Sequence, residues 1–142
     1  VRNRHPVELI LLSVVLALTL SGPSTAIADP EKPAAQKSFE HFVNVWMSKL
    51  DKIGKMNILG IDIMPRDQGF VGRYVCYGPE CKFSIKETGS AETPFVGILC
   101  YSEKHFLKKG ENRQKTFQNP GMLTKKIRVT EIFRFTHGKW VY

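Results

Sequence analysis

"SFEHFVNVWMSKLDKI", residues 38–53, places Phe39, Phe42, Val43, Trp46, Met47, Leu50 and Ile53 at steps of three and four. Steps of that size bring side chains to one side of a helix with 3.6 residues per turn. Glu40, His41, Asn44, Lys49 and Lys52 fall on the other side. The stretch predicts an amphipathic helix that covers an apolar core and turns its polar back to water. Ser38 is placed to cap it, with a start nearer Pro33 as the alternative, and Gly54 is placed to end it.

Downstream the texture changes. After "KMNILGIDIMPRDQG" (55–69), where a short helix or a strand would fit, strands are expected at 70–77, 81–87, 94–106 and 125–136. A last one, 139–142, is turned by His137-Gly138. Alternation is clean in two of them. Cys81, Phe83 and Ile85 point one way and Lys82, Ser84 and Lys86 the other; Ile127, Val129, Phe133 and Phe135 share a face with Glu131, while Arg128, Thr130 and Arg134 face away. Residues 111–124 are the least ordered stretch by composition. One main N-terminal amphipathic helix followed by an antiparallel meander of four to five strands is an α+β arrangement, and residues 38–142 suffice for a single domain. Isolated glycines in "FVGRY" and "FVGIL" would let such a sheet curve or the helix approach closely.

Upstream, "VRNRHPVE" is basic, Leu9–Leu20 is an apolar run and "SGPSTAIA" ends in a small-x-small site. That is the layout of a secretory signal peptide over residues 1–28, cleaved after Ala28. The run is shorter than the roughly 20 residues that span a bilayer, so no transmembrane helix is expected after processing. A retained short anchor is the alternative. With no cysteine near the cut, a lipid anchor is not expected. Residues 29–37, "DPEKPAAQK", read as a flexible leader, and the chain as exported to the periplasm or beyond.

The helix, together with the ending "RVTEIFRFTHGKWVY", resembles the nuclear-transport-factor-2-like and cystatin-like superfamily. The resemblance covers residues 38–142 in outline and implies a curved sheet wrapped around a helix. Many exported bacterial members have no assigned activity; others bind small apolar ligands or act as isomerases and dehydratases. No catalytic motif of those enzymes matches residue by residue, so no active site carries over.

Three readings compete for Cys76 and Cys81. A zinc site needs about four N/S ligands, and Cys100 with His41, His105 and His137 lacks the spacing. A redox pair prefers Cys-x-x-Cys at a helix start. A disulfide fits better, because a hairpin closed by Tyr77-Gly78-Pro79-Glu80 would set Cys76 opposite Cys81 in an oxidising compartment. So short a loop gains only about 2 kcal/mol from closure. Cys100 is expected as a buried free thiol beside Val96 and Ile98.

Period-two counting puts the Glu131 carboxylate on an apolar face, where an unpaired charge is costly. Glu131 is therefore either an acid or base in a helix–sheet cavity or a structural carboxylate held by a neighbour. Glu103 and His105 could join it in proton transfer, although both sit toward the polar end of their strand. Tyr74, Tyr101, Trp46 and Trp140 are core residues that would also serve as pocket walls.

The chain carries a net charge of +8, and between Lys104 and Arg128 there are eight Lys/Arg against one acid, Glu111. Lys108, Lys109, Lys125, Lys126 and Arg128 are thus candidates to meet an anionic partner, a solvated loop being the plainer reading. No phosphate loop, nucleophile elbow, dinucleotide fingerprint or paired metal histidines occurs, and neither cofactor, metal nor specific nucleic acid is expected. The sequence predicts a non-catalytic exported domain that binds a small apolar ligand or an anionic cell-envelope polymer. The alternative is a small-pocket isomerase or hydro-lyase that uses Glu131.

Overall fold

The apolar stripe runs further than residues 38–53. In the computed structural model, which describes residues 31–142, helix α1 spans Glu31–Leu59. The signal-peptide segment lies outside the described residues. Within 31–37 the expected flexible leader is replaced by helix. Ala35 continues the i, i+4 ladder to Phe39 and Val43 and is buried, and Pro33 is tolerated in a first turn whose N–H groups have no helical partner. Ser38 does not cap the helix. Its hydroxyl donates to the Ala35 carbonyl at 2.9 Å and accepts from Trp140 Nε1 at 3.0 Å, tying α1 to the end of the chain.

Gly54 does not end the helix either. It is buried in α1, where a Cβ would lie 3.4 Å from Cys76 Cα, so the missing side chain lets the helix lie on strand β2 (Gly69–Glu87). Asn57 then donates to the Val75 carbonyl at 3.0 Å, occupying a group on the β2 edge. The helix closes where Gly60 N–H reaches the Met56 carbonyl.

The ambiguous stretch after the helix supplies a short strand, β1 (Ile63–Arg66), which pairs with the start of β2. With β3 (Phe95–Gly110), β4 (Met122–Thr136) and β5 (Lys139–Val141) these form one curved antiparallel sheet in the order β1-β2-β3-β4-β5. The meander and the α+β class are as expected; the strand count is five.

The hairpin expected at 76–81 does not form. Residues 70–77 and 81–87 are halves of the single strand β2, and Tyr77-Gly78-Pro79-Glu80 is a bulge, with Tyr77 opposite Glu103 and Cys81 opposite Tyr101. A bulge accommodates Pro79, which has no N–H for the ladder. The disulfide reading is corrected with it. Cys76, Cys81 and Cys100 are free thiols. Over this span the partner strand advances three residues, from Lys104 to Tyr101, about 10 Å at roughly 3.3 Å each, beyond the roughly 7 Å between Cα atoms that a disulfide tolerates.

The inner face of the sheet carries the core. Phe95, Gly97, Leu99 and Tyr101 alternate as buried residues on β3, and Phe133 answers them from β4. A Cβ on Gly97 would fall 2.3 Å from the Phe39 ring, so that ring lies directly on the β3 backbone. Around Phe39 stand Trp140 at 4.4 Å between ring centroids, Phe83 at 6.0 Å and Phe133 at 6.1 Å.

The stretch expected to be least ordered, 111–124, also has structure. Helix α2 spans Arg113–Gln118, with Asn112 Oδ1 accepting from Lys115 N at 2.8 Å as its cap. Thr116 is fully buried against Gly110, where a Cβ would meet the Thr116 backbone at 2.5 Å. A polar composition concealed one capping side chain and one close backbone contact.

Candidate functional site

The inner face brings four predicted residues and one unpredicted one together. Glu131 and Tyr101 lie on neighbouring strands, and the phenol donates to Glu131 Oε1 at 2.6 Å. Glu131 Oε2 is buried with no protein partner. One step further along the sheet, His105 Nε2 and Glu103 Oε1 are 2.7 Å apart and partly exposed. Tyr77, at the bulge, meets Tyr101 edge-on at 6.0 Å. Burial, then the Glu131 hydrogen bond and charge, push the Tyr101 phenol well above the ordinary tyrosine range. Burial, then Glu103 and Glu131, push Tyr77 up as well. The two carboxylates therefore act on the same two phenols, which stay protonated and available as donors.

The Glu131 carboxylate is thus held through one oxygen by a tyrosine on the adjoining strand. Trp140 belongs to the aromatic core with Phe39 and Phe133, and the partly buried Trp46 packs against it, its ring edge-on to Phe133 at 5.1 Å. Trp46 Nε1 is a second buried polar atom without a protein partner. Tyr74 joins none of them; its ring stacks on Phe106 at 5.1 Å toward the α2 end of the sheet.

The outer face is of another kind. Strand register joins outward positions of β2, β3 and β4 into rows: Lys86–Val96–Arg134, Ser84–Ile98–Ile132, Lys82–Cys100–Thr130, Ser102–Arg128 and Lys104–Lys126; Cys76, in register with Lys104, turns its Sγ to the Gly54 carbonyl of α1 at 3.8 Å. Six cations stand on these rows and no carboxylate does. Lys104 and Lys126 are directly opposite each other, an arrangement that costs stability through like-charge repulsion. A groove of about 290 Å³ opens beside the bulge, lined among others by Lys82, Cys100, Ser102 and Arg128, with Glu80 at its rim.

Cys100 is thereby corrected: it lies on this outer face and not in the core. Its Sγ is 3.4 Å from Thr130 Oγ1, and the hydrogen bonds of Thr130 and Arg128 lower its pKa below the usual thiol value. Cys81 moves up through burial; Cys76 moves up through burial and then Asp51, with Lys104 pulling the other way.

Of the five cations named from sequence, Lys126 and Arg128 stand on the outer face, whereas Lys109 and Lys125 are exposed at positions of the opposite face, across from Val71 and His105. Lys108 does not belong with them. It is 8% exposed, donates to the Phe117 carbonyl at 2.5 Å and lies 5.3 Å and 5.9 Å from the Phe117 and Tyr74 rings, so its ammonium holds α2 to the sheet. Lys82, Lys86, Lys104 and Arg134 were missed. Alternation alone turns Lys82, Lys86 and Arg134 outward, but only the strand order shows that they join across β3.

Among the described residues no group of three His, Cys, Asp or Glu is placed to hold a metal, and no helix is long and apolar enough to cross a membrane. No family model, curated protein or solved structure matches this chain.

Proposed function

We propose that this is an exported, non-catalytic binding domain that docks through the outer face of β2–β4 onto an anionic partner of the cell envelope carrying repeated phosphate or carboxylate groups. The observation that carries the reading is the Lys104–Lys126 pair within a face of six cations and no facing carboxylate. Neighbouring strands lie about 4.8 Å apart, and residues of one face recur about every 6.7 Å along a strand. Cations on such a grid meet several anions of one partner at once, and each contact relieves repulsion already present.

The test is binding to dextran sulfate, and to vesicles of phosphatidylglycerol with phosphatidylcholine, at low and high salt. Lys82→Gln, Lys104→Gln, Lys126→Gln and Arg128→Gln combined should abolish most of the salt-sensitive binding to both. Undiminished binding by that variant would overturn the reading.

A second reading, an isomerase or hydro-lyase with Glu131 as acid or base, draws on the partnerless Oε2. It has less support, because Tyr101 holds the other oxygen and the aromatic core occupies the neighbouring space.

A further inference from the structure

Resting on that reading, we infer that the anionic partner is a lipid bilayer, and that the α2 end of the outer face inserts into its headgroup region. The β2–β3 register runs without a break from Tyr77/Glu103 to Phe70/Gly110, so the outward position of Lys104 is followed along the strands by Tyr74–Phe106 and Gly72–Lys108. Across from Phe106 stands Leu123 of β4, beyond a register shift that Thr124 absorbs, with Met122 next to it. The Lys108 ammonium bridges from the Tyr74 ring to the Phe117 ring, which places α2 at this same end. Gly121 closes the arrangement, since a Cβ there would lie 2.1 Å from the Tyr74 hydroxyl.

Three large apolar side chains are left open to water at this end: Phe117 is 41% exposed, Met122 57% and Leu123 49%. Lys104 and Lys126 stand on the outer face in the pairs next to Phe106–Leu123, and Lys109 and Lys125 lie at the same end of the sheet at register positions of the opposite face. Of the acids at this end of the sheet, Glu111 is engaged by Lys115 at 2.6 Å and Glu103 by His105 at 2.7 Å. A soluble polyanion would answer the cations alone and gain nothing from an exposed phenylalanine, methionine and leucine. An anionic bilayer answers both, with headgroup phosphates for the lysines and the acyl boundary for the apolar tip. The chemistry of the patch therefore selects a lipid surface over a hydrophilic polymer.

Three forms of the full chain test this: wild type, Phe117→Ser/Met122→Ser/Leu123→Ser, and Leu123→Trp. Each contains the same residues 1–30, so differences between them report on the tip. The triple serine variant should bind phosphatidylglycerol vesicles roughly tenfold or more weakly, as expected for loss of buried apolar area, and bind dextran sulfate as wild type does. The Leu123→Trp variant should show a blue-shifted difference spectrum and quenching by lipids brominated in their acyl chains, against a constant background from Trp46 and Trp140. Vesicle binding that is unchanged in the triple variant, or bound vesicles that leave the introduced indole unquenched, would overturn insertion while the basic-face reading stands. Should neutralising Lys104 and Lys126 alter neither vesicle nor dextran sulfate binding, that reading falls and the inference with it.

Discussion

The two faces of this sheet are built from alternate residues of the same strands and obey opposite rules. On the inner face polar groups are few and mostly engaged: Tyr101 holds Glu131, Ser38 holds Trp140, and Phe39 rests on a glycine cut away to admit it. On the outer face, cations repeat across three strands and two of them oppose each other directly. The inner face minimises the energy of the isolated chain. The outer face does not, and a surface held away from its own electrostatic optimum is one whose missing half comes from elsewhere.

That contrast breaks first, and most severely, at Phe39. The side chain is fully buried among Phe83, Phe133 and Trp140, and replacing it leaves a void over Gly97 that backbone cannot readily fill. Phe39→Ala should cost about 3–5 kcal/mol by denaturant unfolding. A loss below about 1 kcal/mol would mean that the inner face is not the tightly packed side.

The next largest effect concerns the polar exception within that core. Tyr101→Phe leaves Glu131 without a protein partner on either oxygen, and it should cost about 1–3 kcal/mol near neutral pH. Glu131→Gln keeps an acceptor for the phenol and should cost less. The alkaline limb adds a sign. Because the folded-state pKa of Tyr101 is raised, its contribution is fully present below the ordinary tyrosine value of about 10 and is lost as pH climbs from there toward the folded value. Stability of the wild type should therefore fall more steeply above that pH than stability of Tyr101→Phe, in parallel unfolding curves.

The cysteines sample both environments and give a smaller, chemical contrast. Cys100 lies on the basic outer face with its pKa lowered by Thr130 and Arg128, whereas burial raises Cys76 and Cys81. The thiolate is the reacting species, so as the pH is raised iodoacetamide should label Cys100 first. Peptide mapping of the alkylated native chain reads the order directly. Arg128→Gln should slow Cys100 and leave the other two as they were; labelling of Cys81 ahead of Cys100 would reverse the assignment of faces.

Much of the inner face could be read from the chain. Steps of three and four gave the helix, and alternation placed Phe83, Ile85, Phe133 and Glu131 on one side before any strand order was known. The failures share a cause. Gly54, Pro79 and Gly78 look like terminators when read locally, yet each sits inside an element: Gly54 lies on Cys76 of a distant strand, and Gly78 and Pro79 fall in the bulge by which the single strand β2 stays in register with β3. Cys100 was misplaced by the apolar character of Val96 and Ile98, which are themselves outward residues of β3. The outer face was half legible. Each strand declared its outward lysines, but a charge surface is a property of neighbours, and neighbours are set by register.

The smallest effect discriminates best, because the two faces demand opposite signs of it. Lys104 and Lys126 are directly opposed on adjoining strands, so Lys126→Glu exchanges a like-charge pair for an opposite one. Cross-strand pairs of this type contribute roughly 0.2–1 kcal/mol, and the variant should be more stable than wild type by an amount in that range at low salt. Added salt should erase the gain, since both side chains are solvated. Binding to phosphatidylglycerol vesicles should move the other way and weaken. A core residue cannot give that pair of results, because a change that damages packing lowers stability and function together. If Lys126→Glu is destabilising, Lys104 and Lys126 are not neighbours as the register places them. If it stabilises the chain and leaves vesicle binding intact, the repulsion is real but serves no anion, and the outer face is merely a solvated one.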